Sequence, residues 1–211
     1  FSARNGVPEE PKPQKTIDAA NEGTRVHSLL ENAISEMEMP EEGDTAADAI
    51  ALGMNFIRQL EEGELHAELK VELTHECGGT TDVFNNHDEI ATVLDLKNGK
   101  WDVDAYHNKQ MLTYAAALLN KSPAMWWRLV IFQPNGLEEQ PFKQWLAHRS
   151  EVEAHRNLVL LATQDRSPPK PGPWCRWCKA FQQCPAMAHD AGFVMGAMSR
   201  RPEDLMPNDL V

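Results

Sequence analysis

The feature that most restricts what this chain can fold into is a change of period near residue 67. Before it, apolar residues recur every three or four positions. Val26, Leu29, Leu30, Ala33, Ile34 and Met37 follow a start near Thr24, and Ile50, Met54 and Ile57 fall within Ala46 to Leu60. That spacing covers one face of a helix. After it, Leu69, Val71 and Leu73 alternate with Glu68, Lys70 and Glu72, the pattern of a strand with one buried face. Gly78-Gly79 is expected to turn the chain into a second strand, Thr80 to Phe84, and Asn85-Asn86-His87-Asp88 into a third, Ala91 to Lys97. Connections this short join antiparallel neighbours, so a three-stranded meander is predicted.

Downstream, the sequence predicts a helix from His107 to Leu119, a buried strand from Trp126 to Phe132 and a long helix over 143–163. Ser167-Pro168-Pro169-Lys170-Pro171-Gly172-Pro173 then breaks the chain. The expected organisation is an extended lead-in over 1–20, a core over 21–166, and a Pro-rich break with a Cys-rich appendage over 167–211. Helices flanking a mixed sheet make this an α/β chain.

At 211 residues, 42% of them hydrophobic, the chain can bury the core of one domain. No run approaches the length of a membrane span, and the first residues lack the order of a signal peptide. A protein in the cytoplasm of a bacterium or a phage-infected cell is expected. Starting at Phe1 rather than Met, the chain reads as a processed or shortened product. The net charge of −12 argues against nonspecific binding to phosphates, but it is unevenly spread. Residues 1–120 carry −14 and residues 121–201 carry +5. A positive surface from the second half can meet a polyanion while acidic clusters gather cations.

The chemistry concentrates on the strands. Asp95 and Lys97 are two residues apart and project from one face of the third strand, with Leu94 and Leu96 on the other. The meander brings Asp82 across from them. Two converging carboxylates form a hard oxygen site suited to Mg²⁺ or Mn²⁺, and a neighbouring lysine can orient or deprotonate water. In the following helix Gln110 and Tyr114 share a face.

Gly23-Thr24-Arg25-Val26-His27, Gly79-Thr80-Thr81-Asp82, Asp95-Leu96-Lys97 and Gln110-Met111-Leu112-Thr113-Tyr114, in this order and spacing, resemble the RecB-like branch of the PD-(D/E)xK nuclease superfamily. The resemblance implies a restriction-endonuclease-like αβββαβ core and metal-dependent hydrolysis of DNA. Within it, Asp82, Asp95 and His27 would ligate the metal, with the Leu96 carbonyl as a further ligand. Lys97 would help activate water, and Gln110 and Tyr114 would contact DNA or brace Lys97. Glu68 looks like the family's acidic residue on the first strand, and Glu72 shares its polar face. His107 and Asn108 would cap the Gln110 helix or approach DNA.

Cys175, Cys178 and Cys184 form a C-x2-C-x5-C cluster flanked by Trp174, Arg176, Trp177 and Lys179. In a reducing compartment this spacing argues for metal rather than disulfides. It resembles the C-terminal part of the iron–sulfur staple in CRISPR-associated RecB-like exonucleases. That staple takes a fourth cysteine upstream of the core, whereas here no cysteine precedes His27. Three readings stand: a [4Fe–4S] cluster completed by Cys77 or by a cysteine in an upstream segment, a Zn²⁺ held by the three cysteines and His189, or unligated thiols. Arg176, Trp177 and Lys179 would then face DNA, and Trp174 and Trp177 are better base contacts than Trp126 and Trp127 inside their apolar run. Trp145 is a further candidate for stacking.

The expectation is therefore an exonuclease acting on DNA ends or single strands in phage or bacterial recombination or repair, with a protein partner able to supply DNA affinity. The competing classes are a catalytically silent DNA-binding or assembly protein on the same scaffold and a purely structural zinc protein.

Overall fold

The computed structural model describes residues 14–164, 170–172, 175, 178, 181 and 184–187. Two compact units result, Gln14–Asp165 and a second formed by Phe1–Pro13 with Arg166–Val211. Among the described residues, the first holds nine helices and strands. In order these are α1 (Gln14–Ser35), α2 (Ala47–Ile57), β1 (Glu64–Thr74), β2 (Cys77–Asn86), β3 (Ile90–Leu96), α3 (Lys109–Leu118), β4 (Trp126–Phe132), β5 (Phe142–His148) and α4 (Arg149–Gln164). The strands form one mixed sheet in the order β1-β2-β3-β4-β5, with β3 and β4 parallel and the other pairs antiparallel. The expected αβββαβ order is present, within a mixed α/β architecture flanked by helices.

Alternation along the strands sorts the core into two layers. Phe84, Val93, Trp127, Leu129 and Ile131 pack with Met111, Ala115 and Leu118 of α3 and Val152 of α4. On the other face Val83, Leu94, Leu96, Val130 and Phe132 meet Val26, Leu30 and Ala33 of α1 and Ile50 and Met54 of α2. Each layer buries side chains worth about 1.5–3 kcal/mol apiece. Asp95 and Lys97 have the parity of Val93 and therefore emerge on the α3 side.

Three expectations are corrected. The first helix begins at Gln14, ten residues before Thr24, so the end of the presumed lead-in is helical. Ala19 and Ala20 favour helix, and the Gln14 side chain donates to Asp18 one turn on (2.8 Å). The first hairpin turns at His75 and Glu76, leaving Gly78 and Gly79 inside β2. A Cβ at Gly78 would lie 2.6 Å from the Val71 carbonyl oxygen, and one at Gly79 2.9 Å from the Tyr114 ring, so these glycines admit close neighbours rather than a turn. Finally, 143–163 is not one helix: Phe142–His148 pairs with β4 as an edge strand before α4 begins. Among the described residues, no helix is long and apolar enough to cross a membrane.

Candidate functional site

The β2–β3 ladder pairs Asn85 with Thr92, Phe84 with Val93 and Val83 with Leu94, then stops. One step further on lie Asp82 and Asp95. The Leu96 N–H freed there donates to Asp82 Oδ2 (2.5 Å), while on the other side of β3 the Lys97 N–H still bonds the Phe132 carbonyl of β4 (2.8 Å). Strand divergence thus opens a polar end on an otherwise apolar sheet. Both carboxylates are buried, Asp82 at 6% exposure and Asp95 at 3%.

Helix α1 brings His27 to this end because Val26 and Leu30 anchor it on the sheet. His27 Nδ1 donates to Asp82 Oδ1 (2.8 Å) and lies 3.8 Å from Glu68 Oε1. Glu68 stands opposite Asp82, between the pairs Ala67–Val83 and Leu69–Thr81. Its φ is +44°, one of three positive values at non-glycine residues among the described residues. Such a conformation costs about 1–2 kcal/mol in an L-residue, so surrounding structure must hold it. His27, Glu68 and Asp82 present ligand atoms all within 4.8 Å of one another, and no other such group of three histidine, cysteine or acidic residues occurs among the described residues.

Asp95 is organised differently. Its Oδ1 accepts from Gln110 Nε2 (2.9 Å), which also donates to the Tyr114 hydroxyl (2.7 Å). Gln110 Oε1 accepts from Lys97 Nζ (2.9 Å). Lys97 Nζ also lies 2.7 Å from the buried Asp95 Oδ2 and pairs with it. Gln110 owes its position to Asn108, which caps α3 by accepting from the Gln110 and Met111 N–H groups. Gly79 gives the Tyr114 ring its space on β2.

The electrostatics reflect crowding of like charge. Burial and the neighbouring Asp82 push the Glu68 and Asp95 carboxyls above the ordinary carboxylate range, while His27 pulls both the other way and Lys97 does so for Asp95. The hydrogen bond that His27 donates to Asp82 raises the imidazole pKa, and burial raises that of the Tyr114 phenol. Two carboxyls and an imidazole nitrogen that converge, with the buried Asp95 carboxyl nearby, form a donor set that fits a hard divalent cation.

The structure thus brings together His27, Asp82, Asp95, Lys97, Gln110 and Tyr114 and places Glu68, only a marginal candidate in the sequence, among the potential ligands. Asp95 stands outside that group of three. Glu72 is exposed opposite Gly78, away from the cluster. Of the tryptophans, Trp127 is fully buried and Trp126 is 42% exposed.

In the second unit the Cys175, Cys178, Phe181 and Cys184 N–H groups each donate to the carbonyl three residues back, starting from Gly172. Three-residue turns align side chains three apart along one edge. The four cysteines carry no disulfide, and the three thiols of this run do not converge into a ligand group among the described residues. Cys77 opens β2 in the first unit. Trp174, Arg176, Trp177, Lys179 and His189 lie outside the described residues.

A family model described as "Protein of unknown function (DUF2800)" matches residues 10–210. The chain belongs to the DUF2800 family. No curated protein matches it. Among solved structures, one described as "Crystal structure of SSO0001" is 15% identical with a TM-score of 0.38, over 82% of this chain and 81% of that one.

Proposed function

We propose that this DUF2800 protein is a divalent-metal-dependent deoxyribonuclease, an exonuclease acting on DNA ends or single strands during recombination or repair in the cytoplasm of a bacterium or phage-infected cell. The observation that carries the reading is the convergence of His27, Glu68 and Asp82 beside the braced Asp95–Lys97 pair. Mg²⁺ or Mn²⁺ held by these carboxylates and His27 would polarise a phosphoryl oxygen and acidify the attacking water.

The chain's own groups supply the positioning. Asp82 fixes His27 through Nδ1 and is itself fixed by the Leu96 N–H. Gln110, held by the Asn108 cap, grips both Asp95 and Lys97 and keeps the ammonium beside the carboxylates, where it can orient the nucleophile. The thiols of the cysteine run do not converge among the described residues, so the iron–sulfur and zinc readings of it rest on spacing alone, and a brown chromophore or released zinc would separate them. An acidic chain also leaves a role for a protein partner in recruiting DNA.

The test is cleavage of end-labelled single- and double-stranded DNA with Mg²⁺, Mn²⁺ or EDTA. Cleavage is expected with either metal and not with EDTA, and Lys97→Ala should lower its rate by about 10²–10⁴-fold. If folded protein cuts nothing, or the variant cuts equally well, the reading falls and a silent DNA-binding scaffold replaces it.

A further inference from the structure

The segment between β3 and α3 displays aromatic rings to solvent on a backbone built to stay in place. Trp101 is 86% exposed and Tyr106 63% exposed. Gln133, only 3% exposed, braces the segment at three points. Its Nε2 donates to the Gly99 (2.6 Å) and Trp101 (2.7 Å) carbonyls, and its Oε1 accepts from the Val103 N–H (3.1 Å). Lys143 pairs with Asp102, and Asp104 accepts from the Tyr106 N–H (3.0 Å). A glutamine buried to order a loop, and a tryptophan left in water on that loop, are not explained by packing.

Next to it Tyr106 and His107 stand edge to face with ring centroids 4.2 Å apart, and both rest on the half-buried Trp145 of β5, at 5.4 and 4.6 Å. His107 is another of the positive-φ residues, at +51°, so this arrangement too is held against backbone preference. The rings adjoin the proposed site. Gln110 follows three residues after His107, and sheet register runs from Asp95 through Ile131 to Lys143, two residues from Trp145 on the same face. Strand spacing puts Trp145 about 10 Å to the side of Asp95 and about 7 Å along the strand, within reach of a base flanking the scissile phosphate.

We infer that Tyr106 and His107, seated on Trp145, together with Trp101 on the same braced segment, form a stacking platform for unpaired nucleobases, which makes the substrate a DNA strand that is single-stranded beside the cut. This rests on the nuclease reading of the neighbouring carboxylates. Stacking suits this chain because a net charge of −12 leaves little to gain from phosphates, whereas every base presents a π-face. From Asn98 to Lys109 the charges balance, Lys100 and Lys109 against Asp102 and Asp104, and both aspartates are engaged as described.

The experiment is binding rather than cleavage, in EDTA, by fluorescence anisotropy of the full chain. The probes are a single-stranded oligonucleotide, the same strand in a blunt duplex, and a strand of abasic sites with equal phosphates. Trp101→Ala and Tyr106→Leu, both at exposed positions, are expected to weaken single-strand binding by about 5- to 100-fold each, the range for loss of one stacked base. Duplex and abasic binding should change less than twofold, and the salt dependence of single-strand binding should stay as in the wild type. Equal loss on all three probes, unaltered single-strand binding, or no binding by the wild type overturns the platform. So does a change confined to self-association, which would mark the rings as a protein contact. The two readings fail separately: selective binding loss without metal-dependent cleavage sinks only the nuclease, and cleavage indifferent to Trp101→Ala and Tyr106→Leu on every substrate sinks only the platform.

Discussion

Glu61 and Asp95 are acidic groups serving the same sheet, and their surroundings do opposite things to them. Glu61 takes both Arg128 guanidinium nitrogens at 2.6 Å, with Asn85 anchoring its backbone carbonyl at 2.9 Å. The Arg128 hydrogen bonds hold its carboxyl below the ordinary range. Asp95 also has a cation, Lys97, yet burial and Asp82 push it upward, and Glu68 behaves likewise. One cluster is complete: a bidentate pair with matched charge. The other gathers three carboxyls around one lysine and one histidine. A cluster short of positive charge inside a well-packed sheet is stable only because the rest of the fold holds it, and it favours whatever cation enters.

The largest effect should therefore come from supplying that cation. Thermal unfolding with Mn²⁺ or Mg²⁺ at about 100 times the dissociation constant is expected to stabilise the protein by about 2.7 kcal/mol over EDTA, roughly 5–10 °C in Tm for a chain this size. Asp82→Asn should abolish the gain, and Glu61→Gln should leave it intact. Coincident melts with and without metal would break the contrast between the clusters.

A smaller effect isolates the complete cluster. Glu61→Gln removes the charge from a pair whose side chains are 20–28% exposed, and should cost about 1–2 kcal/mol at neutral pH. Because the folded-state carboxyl is depressed, its stabilisation is fully present above the ordinary carboxylate pKa of about 4.3 and disappears as pH falls through the lower folded value. The stability gap between wild type and variant, measured by urea unfolding, should hold from neutral pH down to about 5 and close in more acidic solution. A gap that widens in acid would show that the pair is not the source.

The legible and illegible parts of this molecule divide by the range of the forces involved. Alternation placed Asp95 and Lys97 opposite Leu94 and Leu96, and burial of both leucines bears this out. Strand β5 was hidden because Phe142, Trp145 and Leu146 sit at helical spacing, while what makes the segment a strand is pairing with β4 across an intervening loop. Gly78-Gly79 resembled a turn for want of knowing that a carbonyl and the Tyr114 ring press against them. His27 and Gln110 emerged only through the family-like order of motifs, since nothing local links a helix residue near the start of the chain to a strand 55 residues on. Glu68 was marked only by its likeness to the family's acidic residue on the first strand, and its backbone conformation leaves no trace in the sequence.

That conformation supplies the most discriminating small effect. At an ordinary strand position glycine is less stable than alanine by about 0.5–1 kcal/mol, because it loses more freedom on folding. At φ +44° the Cβ of an L-residue is itself the problem, and its removal returns about 1–2 kcal/mol. Glu68→Gly and Glu68→Ala both delete the carboxylate and should both weaken the stabilisation by metal. In EDTA, however, Glu68→Gly should equal or exceed Glu68→Ala in stability by up to about 1 kcal/mol, reversing the usual order. Denaturant midpoints of the two variants read this directly. If alanine is the more stable by the ordinary margin, Glu68 is not held in the left-handed region, and the incomplete cluster is not strained at this position.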